Sequence, residues 1–305
     1  MSNKSAKKLL VMHLVGGIGN QLFVYYAGRV LANQTNRNLS LDFSDVNRGH
    51  NMEDISNLRI SCQSETSTVK RILKRFSLIN YFNALNYKCE IPKILKGSLL
   101  FPIMEAEIDQ LGKFRKRSRI HVAGYFQTNK YYDLYQQSHP GSNLLFYESE
   151  FSLDMDCFNW DRTLGVHVRR GDYLAHRYSF GVLSAEWYRD AIKVALKSLG
   201  QKIDHIVFFT NDYEWVSKHL QPMIDTARYS VSVEKNSETT SVTVVLKELA
   251  RCKGLVISNS TFSLMGAYHS TAMVFTPETF FRNQESFLLK DVRENWLKIK
   301  SRWEE

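Results

Sequence analysis

Cysteine and proline are both scarce in this chain, and each scarcity narrows what it can be. The 4 cysteines stand at 62, 89, 157 and 252, with no CxxC pair and no metal-type spacing. That argues against a disulfide-stapled scaffold or a cysteine zinc site, and scattered thiols suit a reducing compartment, where they serve as small buried apolar groups. Only 5 prolines in 305 residues argue against a disordered chain. No apolar run is long enough to cross a bilayer. Residues 9–15 run straight into glycines, and the polar, basic residues 1–8 before them lack a signal-peptide layout. A soluble cytoplasmic protein is expected. An acidic DxD-type pair at a strand end is also missing, and Asn211-Asp212 offers one carboxylate only. No metal and no other cofactor is therefore expected, and the cationic work falls to arginine. Internal repeats and low-complexity segments are absent.

What is present is ample core material, with 44% hydrophobic and 12% aromatic residues, enough for two domains of roughly 150 residues each. The net charge of +9 is uneven: residues 61–120 hold twelve Lys/Arg against five Asp/Glu. Within them, Val69, Ile72, Leu73, Phe76, Ile79 and Phe82 recur at helical spacing with Lys70, Arg71, Lys74 and Arg75 between, an amphipathic basic helix near 67–85. Such a helix is either core-packed with a solvated basic face or docked on an anionic membrane, where each basic residue contributes about 1 kcal/mol. No nucleic-acid reader motif accompanies the charge, so nucleic acid is not an expected partner.

Strand and helix patterns alternate, which predicts an α/β fold. A helix over 21–33 and a strand over 38–43 follow the first glycines, 47–118 reads as irregular and mostly helical, and 120–126 returns to strand. Residues 137–160, with Pro140-Gly141-Ser142-Asn143, suit a domain junction. Beyond it come strands over 164–168, 204–210, 228–233, 254–258 and 272–276. Between them lie helices over 184–199 with Ser184 as N-cap, 212–220, 240–252 and 262–269. The segment from 285 reads as a helical tail.

Three polar loops follow probable strands, and strand ends are where α/β sheets hold ligands. They are Gly16-Gly17-Ile18-Gly19-Asn20-Gln21, His167-Val168-Arg169-Arg170-Gly171-Asp172-Tyr173, and Ser258-Asn259-Ser260-Thr261-Phe262-Ser263. Each alone has a plain structural reading. The first lacks the third glycine of the dinucleotide fingerprint, with Leu22 in its place, and could be a packing turn. The arginines could form an ion pair with Asp172, and the serines could be a helix N-cap. Together they suit a phosphorylated ligand, because arginine pairs planar anions and helix N-termini offer unsatisfied N–H groups. His167, on the same strand face as Arg169, is either a packed histidine or a base.

These motifs, with Phe208-Phe209-Thr210-Asn211-Asp212 and Gly124-Tyr125-Phe126-Gln127-Thr128-Asn129-Lys130-Tyr131-Tyr132, occur in an order and spacing that resembles the bacterial and animal α-1,2-fucosyltransferases of glycosyltransferase family 11. The resemblance covers about 10–280. It departs where the family often has two tryptophans and this chain has Leu264-Met265. It implies a GT-B architecture: two Rossmann-like domains, 1–155 on the acceptor side and 156–284 on the donor side, with the active site in the cleft between them and a tail over 285–305. It also implies metal-independent, inverting transfer of L-fucose from GDP-β-L-fucose to the 2-hydroxyl of a terminal galactose, on a bacterial O-antigen or other surface glycan. The acceptor would be a galactose-terminated, lipid-linked oligosaccharide at the inner membrane. Arg169 matches the family's arginine on the β-phosphate, while Arg170, on the other strand face, would pair structurally. Ser258, Ser260, Thr261, Phe262 and Ser263 would surround the diphosphate, and His167 and Asn259 would belong to the same donor-binding set. Asn211 and Asp212 would read guanine or ribose, and Gly17, Gly19, Asn20 and Gln21 would face the cleft. The general base stays open among Asp172, His167, Asp42, Asp45 and Glu186, with Asp172 foremost. Another fucosyl linkage (α-1,6 or α-1,3), another GDP-sugar, or a non-enzymatic nucleotide- or RNA-binding role remain as alternatives.

Overall fold

The computed structural model describes residues 8–46, 55, 58, 60, 62–65, 96–99, 102–142, 159–235, 241–283 and 292–305. The expected basic helix at 67–85 lies outside them. The chain divides into two compact units, residues 1–49 with 54–142 and residues 50–53 with 143–305. The division falls within the Pro140-Gly141-Ser142-Asn143 stretch, ahead of the 155/156 boundary read from the sequence.

The first unit is built on a five-stranded sheet in the order β3-β2-β1-β5-β4. Its strands are β1 (Leu9–His13), β2 (Asn38–Asp42), β3 (Gln63–Glu65), β4 (Ile103–Met104) and β5 (Arg119–Ala123), paired in parallel throughout. Strands covered on both faces read as unbroken apolar runs rather than alternating ones, and β1 buries Leu10, Val11 and Met12 completely. Helix α1 (Ile18–Gln34) starts three residues ahead of the expected Gln21, with Gly17 as its N-cap. It packs against α2 (Asn129–Ser138) through a tyrosine cluster in which the Tyr26 ring lies 5.1 Å from Tyr132 and 5.0 Å from Tyr135. Strand β5 stops at Ala123, short of the expected 126, because Phe126 takes a left-handed φ of 51° and both Tyr125 and Phe126 donate their N–H to Glu105. The described part of 47–118 holds β3, β4 and a 3-10 helix over Glu105–Phe114, not α-helix.

The second unit is built on a six-stranded parallel sheet in the order β11-β10-β9-β6-β7-β8. These strands are β6 (Thr163–Val168), β7 (His205–Thr210), β8 (Ser230–Lys235), β9 (Gly254–Val256), β10 (Met273–Pro277) and β11 (Leu297–Ile299). Four α-helices cross over between them: α3 (Ala185–Leu199), α4 (Tyr213–His219), α5 (Val242–Arg251) and α6 (Thr261–Tyr268). Ser184 caps α3 by accepting from the Trp187 N–H at 3.3 Å. Trp187 and Tyr188 then bury against Val166, Val168, Ile206 and Phe208 to make this unit's core.

The expected helical tail is corrected here. Among the described residues from 292 onward there is no helix, and Leu297–Ile299 pair in parallel with β10. The open edge of β10 offers unpaired backbone groups that a short strand satisfies, and Leu297 and Ile299 flank Lys298 with the two-residue period of a strand.

Candidate functional site

In the second sheet the strand order reverses between β6 and β9, and the crevice at such a reversal is where open α/β sheets take ligands. The arginine motif leaves the end of β6 and the serine motif the end of β9, on strands paired through Val166 and Val256. The fold therefore brings together two of the three loops singled out in the sequence.

Arg169 and Arg170 leave the strand on opposite faces, and their surroundings differ accordingly. Arg169 places Nη2 2.9 Å from Asp172 Oδ1 and lies 5.6 Å from the Tyr173 ring centroid. Its Nε is buried without a hydrogen-bond partner, and 31% of the side chain is exposed. The Arg170 side chain is 8% exposed, donates from Nε to Asp212 Oδ2 at 3.1 Å and from Nη1 to Glu304, and stacks 4.0 Å over Trp215. One arginine is thus held inside the protein, and the other keeps donor capacity for a ligand.

Asn211 and Asp212 hold this turn in place. Asn211 Oδ1 accepts from the Arg170 N–H at 3.0 Å, and Asp212 Oδ1 caps α4 by accepting from the Trp215 N–H at 3.1 Å. Gly171 has a φ of +22°, and a Cβ there would stand 2.3 Å from Asn211 Nδ2, so only glycine fits the turn.

His167 lies behind the arginine turn, 5% exposed, with Nδ1 2.7 Å from Ser258 Oγ and its ring 5.3 Å from Phe262. Burial, and next the Arg169 charge, lower its pKa to about 3, so the imidazole is neutral near pH 7 and a weak base. In the serine loop, Ser260 caps α6 by accepting from the Phe262 N–H at 3.3 Å, and Ser263 Oγ donates to the carbonyls of Ser258 and Ser260. Asn259 is fully buried and donates to the carbonyls of Phe180 and Gly181 at 2.9 and 3.0 Å, which anchors the loop that follows the arginines. The Tyr173 hydroxyl donates to the Asn259 carbonyl at 3.1 Å, and burial raises that phenol to about 12. Thr261 and Phe262 stay partly exposed at the start of α6.

The first unit's sheet reverses order between β1 and β5, and its two glycine-containing loops meet there. Gln127 Nε2 donates to Asn20 Oδ1 at 2.9 Å. Gln21 is fully buried, donating to the Gly16 carbonyl at 2.8 Å and accepting from the Ile55 N–H at 3.1 Å. Gly17 and Gly19 lie at the start of α1, whose first turn has no acidic side chain and no side-chain cap.

The remaining candidates for a base are dispersed. Asp42, at the end of β2, is 1% exposed, accepts from the Ser44 N–H at 2.9 Å and lies 3.6 Å from His13. His13 in turn meets His121 at 3.0 Å. Asp45 is partly exposed. Glu186 is on the exposed first turn of α3, where its own backbone N–H and then Ser184 hold its carboxyl below the usual range. Sequence reasoning missed Glu304, Trp215 and the buried histidine pair. Only the histidines left a trace, each being a polar residue inside an otherwise apolar strand. Among the described residues no group of three His, Cys, Asp or Glu is placed to hold a metal ion.

The family model for glycosyl transferase family 11 matches residues 103–300. An Escherichia coli alpha-1,2-colitosyltransferase is 22% identical over 318 residues, covering 95% of this chain and 99% of that protein. The Escherichia coli O-antigen biosynthesis glycosyltransferase WbnK is 26% identical over 315 residues, covering 94% and 99%. Among solved structures, an Arabidopsis thaliana FUT1 mutant in complex with GDP superimposes with a TM-score of 0.55 at 13% identity, covering 92% of this chain and 73% of that one. POFUT1 in complex with GDP gives 0.52 at 13% identity, covering 87% and 96%. At these identities the two structures speak to the α/β fold with parallel sheets.

Proposed function

The chain belongs to glycosyl transferase family 11 and is a glycosyltransferase, and on that footing we propose that it transfers L-fucose from GDP-β-L-fucose to the 2-hydroxyl of a terminal β-galactose. The two Rossmann-like units are read as the halves of a GT-B enzyme. The observation that carries the reading is the pairing of Arg169, with its unpartnered buried Nε, and the N-terminus of α6 at one strand-order reversal.

As the C1–O bond to the β-phosphate breaks, the sugar becomes oxocarbenium-like and negative charge builds on the departing diphosphate. Fixed donors aimed at that charge lower the barrier. Arg169 supplies a guanidinium, and Ser260, Thr261 and Phe262 supply hydroxyl and backbone N–H groups at a helix end favourable to anions. Ser258, held by His167, and Ser263 shape the same loop. Asn211, Asp212 and Asn259 serve the donor through the turn and loop they hold. Gly17, Gly19 and Asn20 stand as the first unit's ligand-facing turn, which Gln21 braces from inside. The galactose O2 attacks C1 from the face opposite the leaving group, inverting it to an α linkage, and its proton passes to a base or to water. Asp172 is bound to the arginine assigned to the leaving phosphate, which places it on the leaving-group side. We therefore give it an orienting role.

WbnK is named for O-antigen biosynthesis, which supports a surface-polysaccharide acceptor; that this acceptor ends in galactose and is carried on a lipid is part of the same proposal. The name of the alpha-1,2-colitosyltransferase supports the 1,2 linkage and favours one second reading, a colitosyl rather than a fucosyl donor. The deciding experiment incubates the protein with GDP-fucose, EDTA and a panel of β-galactosides, reading GDP release, product mass and linkage by NMR. A metal-independent 2-O-fucosylated product is expected. No GDP-fucose turnover with any acceptor would sink the donor assignment. Arg169→Ala should lower transfer by about 10²–10³-fold, about 2.7–4 kcal/mol, with the fold kept. Asp172→Asn should lower it less, and turnover of Arg169→Ala above a tenth of wild type would remove Arg169 from the mechanism.

A further inference from the structure

We infer that Glu304 is a positioning residue for the reactive arginine, acting through Arg170; the inference rests on the reading that Arg169 meets the leaving phosphate. Arg170 and Arg169 share one peptide, so whatever fixes the Arg170 guanidinium also fixes the backbone from which Arg169 extends. That guanidinium is packed on Trp215 and enclosed by two carboxylates, Asp212 and Glu304. Asp212 comes from the neighbouring strand end, whereas Glu304 comes from a segment remote in sequence.

The segment carrying Glu304 is itself fastened. Leu183 and Trp303 form an antiparallel bridge, the Ser184 N–H donates to the Arg302 carbonyl at 2.9 Å, and the Glu304 N–H donates to the Val182 carbonyl at 2.7 Å. The Trp303 ring lies so close over Gly181 that a Cβ there would stand 2.5 Å from it. Glu304 thus holds Arg170 with its side chain and Val182 with its backbone, closing both ends of the loop that starts at the reactive arginine. Buried ion pairs are often worth little net stability, so geometry, rather than energy, is the property this pair supplies. A displacement near 1 Å at a catalytic group costs up to about 10²-fold in rate.

The test compares the full-length wild type with Glu304→Ala, Glu304→Gln and Asp190→Ala. The last removes the Arg302–Asp190 contact of 2.9 Å in the same segment but leaves Arg170 untouched. With GDP-fucose and the best galactoside, Glu304→Ala should lower kcat by about tenfold or more with KM for the donor within about threefold, because the loss falls on the transition state. Glu304→Gln, which still accepts a hydrogen bond, should lose less, and Asp190→Ala should stay within about twofold of wild type. Amide hydrogen exchange over 169–182 should accelerate in Glu304→Ala and not in Asp190→Ala, a readout independent of any donor. Wild-type kcat or unchanged exchange in Glu304→Ala, or equal losses in Glu304→Ala and Asp190→Ala, would overturn the inference. If Glu304→Ala does not fold, the kcat and exchange of Glu304→Gln decide it by the same criteria. A wild type that turns over no GDP-fucose would instead strike the donor reading, leaving the exchange result to judge the link.

Discussion

His167 and Arg169 stand two residues apart on one strand face, and burial first, with the Arg169 charge second, keeps the histidine neutral. Its pKa is lowered to about 3 in the folded protein, and that of His269, buried at the C-terminal cap of α6, is also lowered to about 3. Each imidazole binds a proton in the unfolded chain near pH 6.5. Between those values the unfolded state holds more protons, so the stability these residues contribute is complete above about pH 6.5 and drains away as pH falls toward 3. Each should contribute a slope of about 1.4 kcal/mol per pH unit in that window. Urea unfolding of wild type and His167→Gln at pH 4.5, 5.5 and 7.5 measures it, and a slope identical in the two proteins would contradict a buried neutral imidazole. The two-residue strand period was enough to separate the roles of the arginines, since Arg170 does pair structurally. Its partners were not legible. Glu304 is 134 positions away in the sequence, and Asn211-Asp212, read as a nucleotide reader, spends its carbonyl and carboxylate on the arginine turn and a helix cap.

The turn from β6 into the following loop depends on a single backbone conformation. Gly171→Ala should destabilise by about 1–3 kcal/mol and depress transfer strongly, because the new methyl collides with Asn211 and shifts Arg170. Thermal denaturation and initial rates together check this, and an alanine variant with wild-type Tm and rate would show the turn to be adaptable. Crossover units left clear marks in the sequence. Ser184 ahead of an amphipathic run gives α3 to the residue, and buried parallel strands such as β6 and β7 announce themselves as apolar stretches ended by polar loops. Strand β11 left no such mark, since its three residues are ordered by the edge of β10, a long-range partner that local periodicity does not encode. Strand β5 was read too long because nothing in its composition signals the left-handed turn at Phe126.

Charge governs how the protein as a whole meets its surroundings. The surplus of basic residues in 61–120 and the lipid-carried acceptor proposed above would both suit an anionic bilayer. Among the described residues no helix is long and apolar enough to cross a membrane, so the proposed contact is peripheral. Vesicles containing phosphatidylglycerol should retain the wild type at low salt and release it as salt rises, and neutralising Lys70, Arg71, Lys74 and Arg75 together should weaken retention by about tenfold or more, at about 1 kcal/mol per charge. Retention unchanged by those substitutions would refute membrane docking through these four residues.

The all-parallel pairing of the second sheet also sets when the site comes into being. Leu164 of β6 pairs with Gly254 of β9, so 90 positions separate the two strands whose ends carry the arginine and the serine cluster. Closing a loop of that length costs about 4 kcal/mol of chain entropy before the pairing returns anything, and long-range parallel contacts slow folding toward the millisecond-to-second range. A chain that has formed only β6, β7 and β8 already carries Arg169, but has no serine loop beside it. During refolding, catalytic competence should therefore trail the first appearance of native secondary structure.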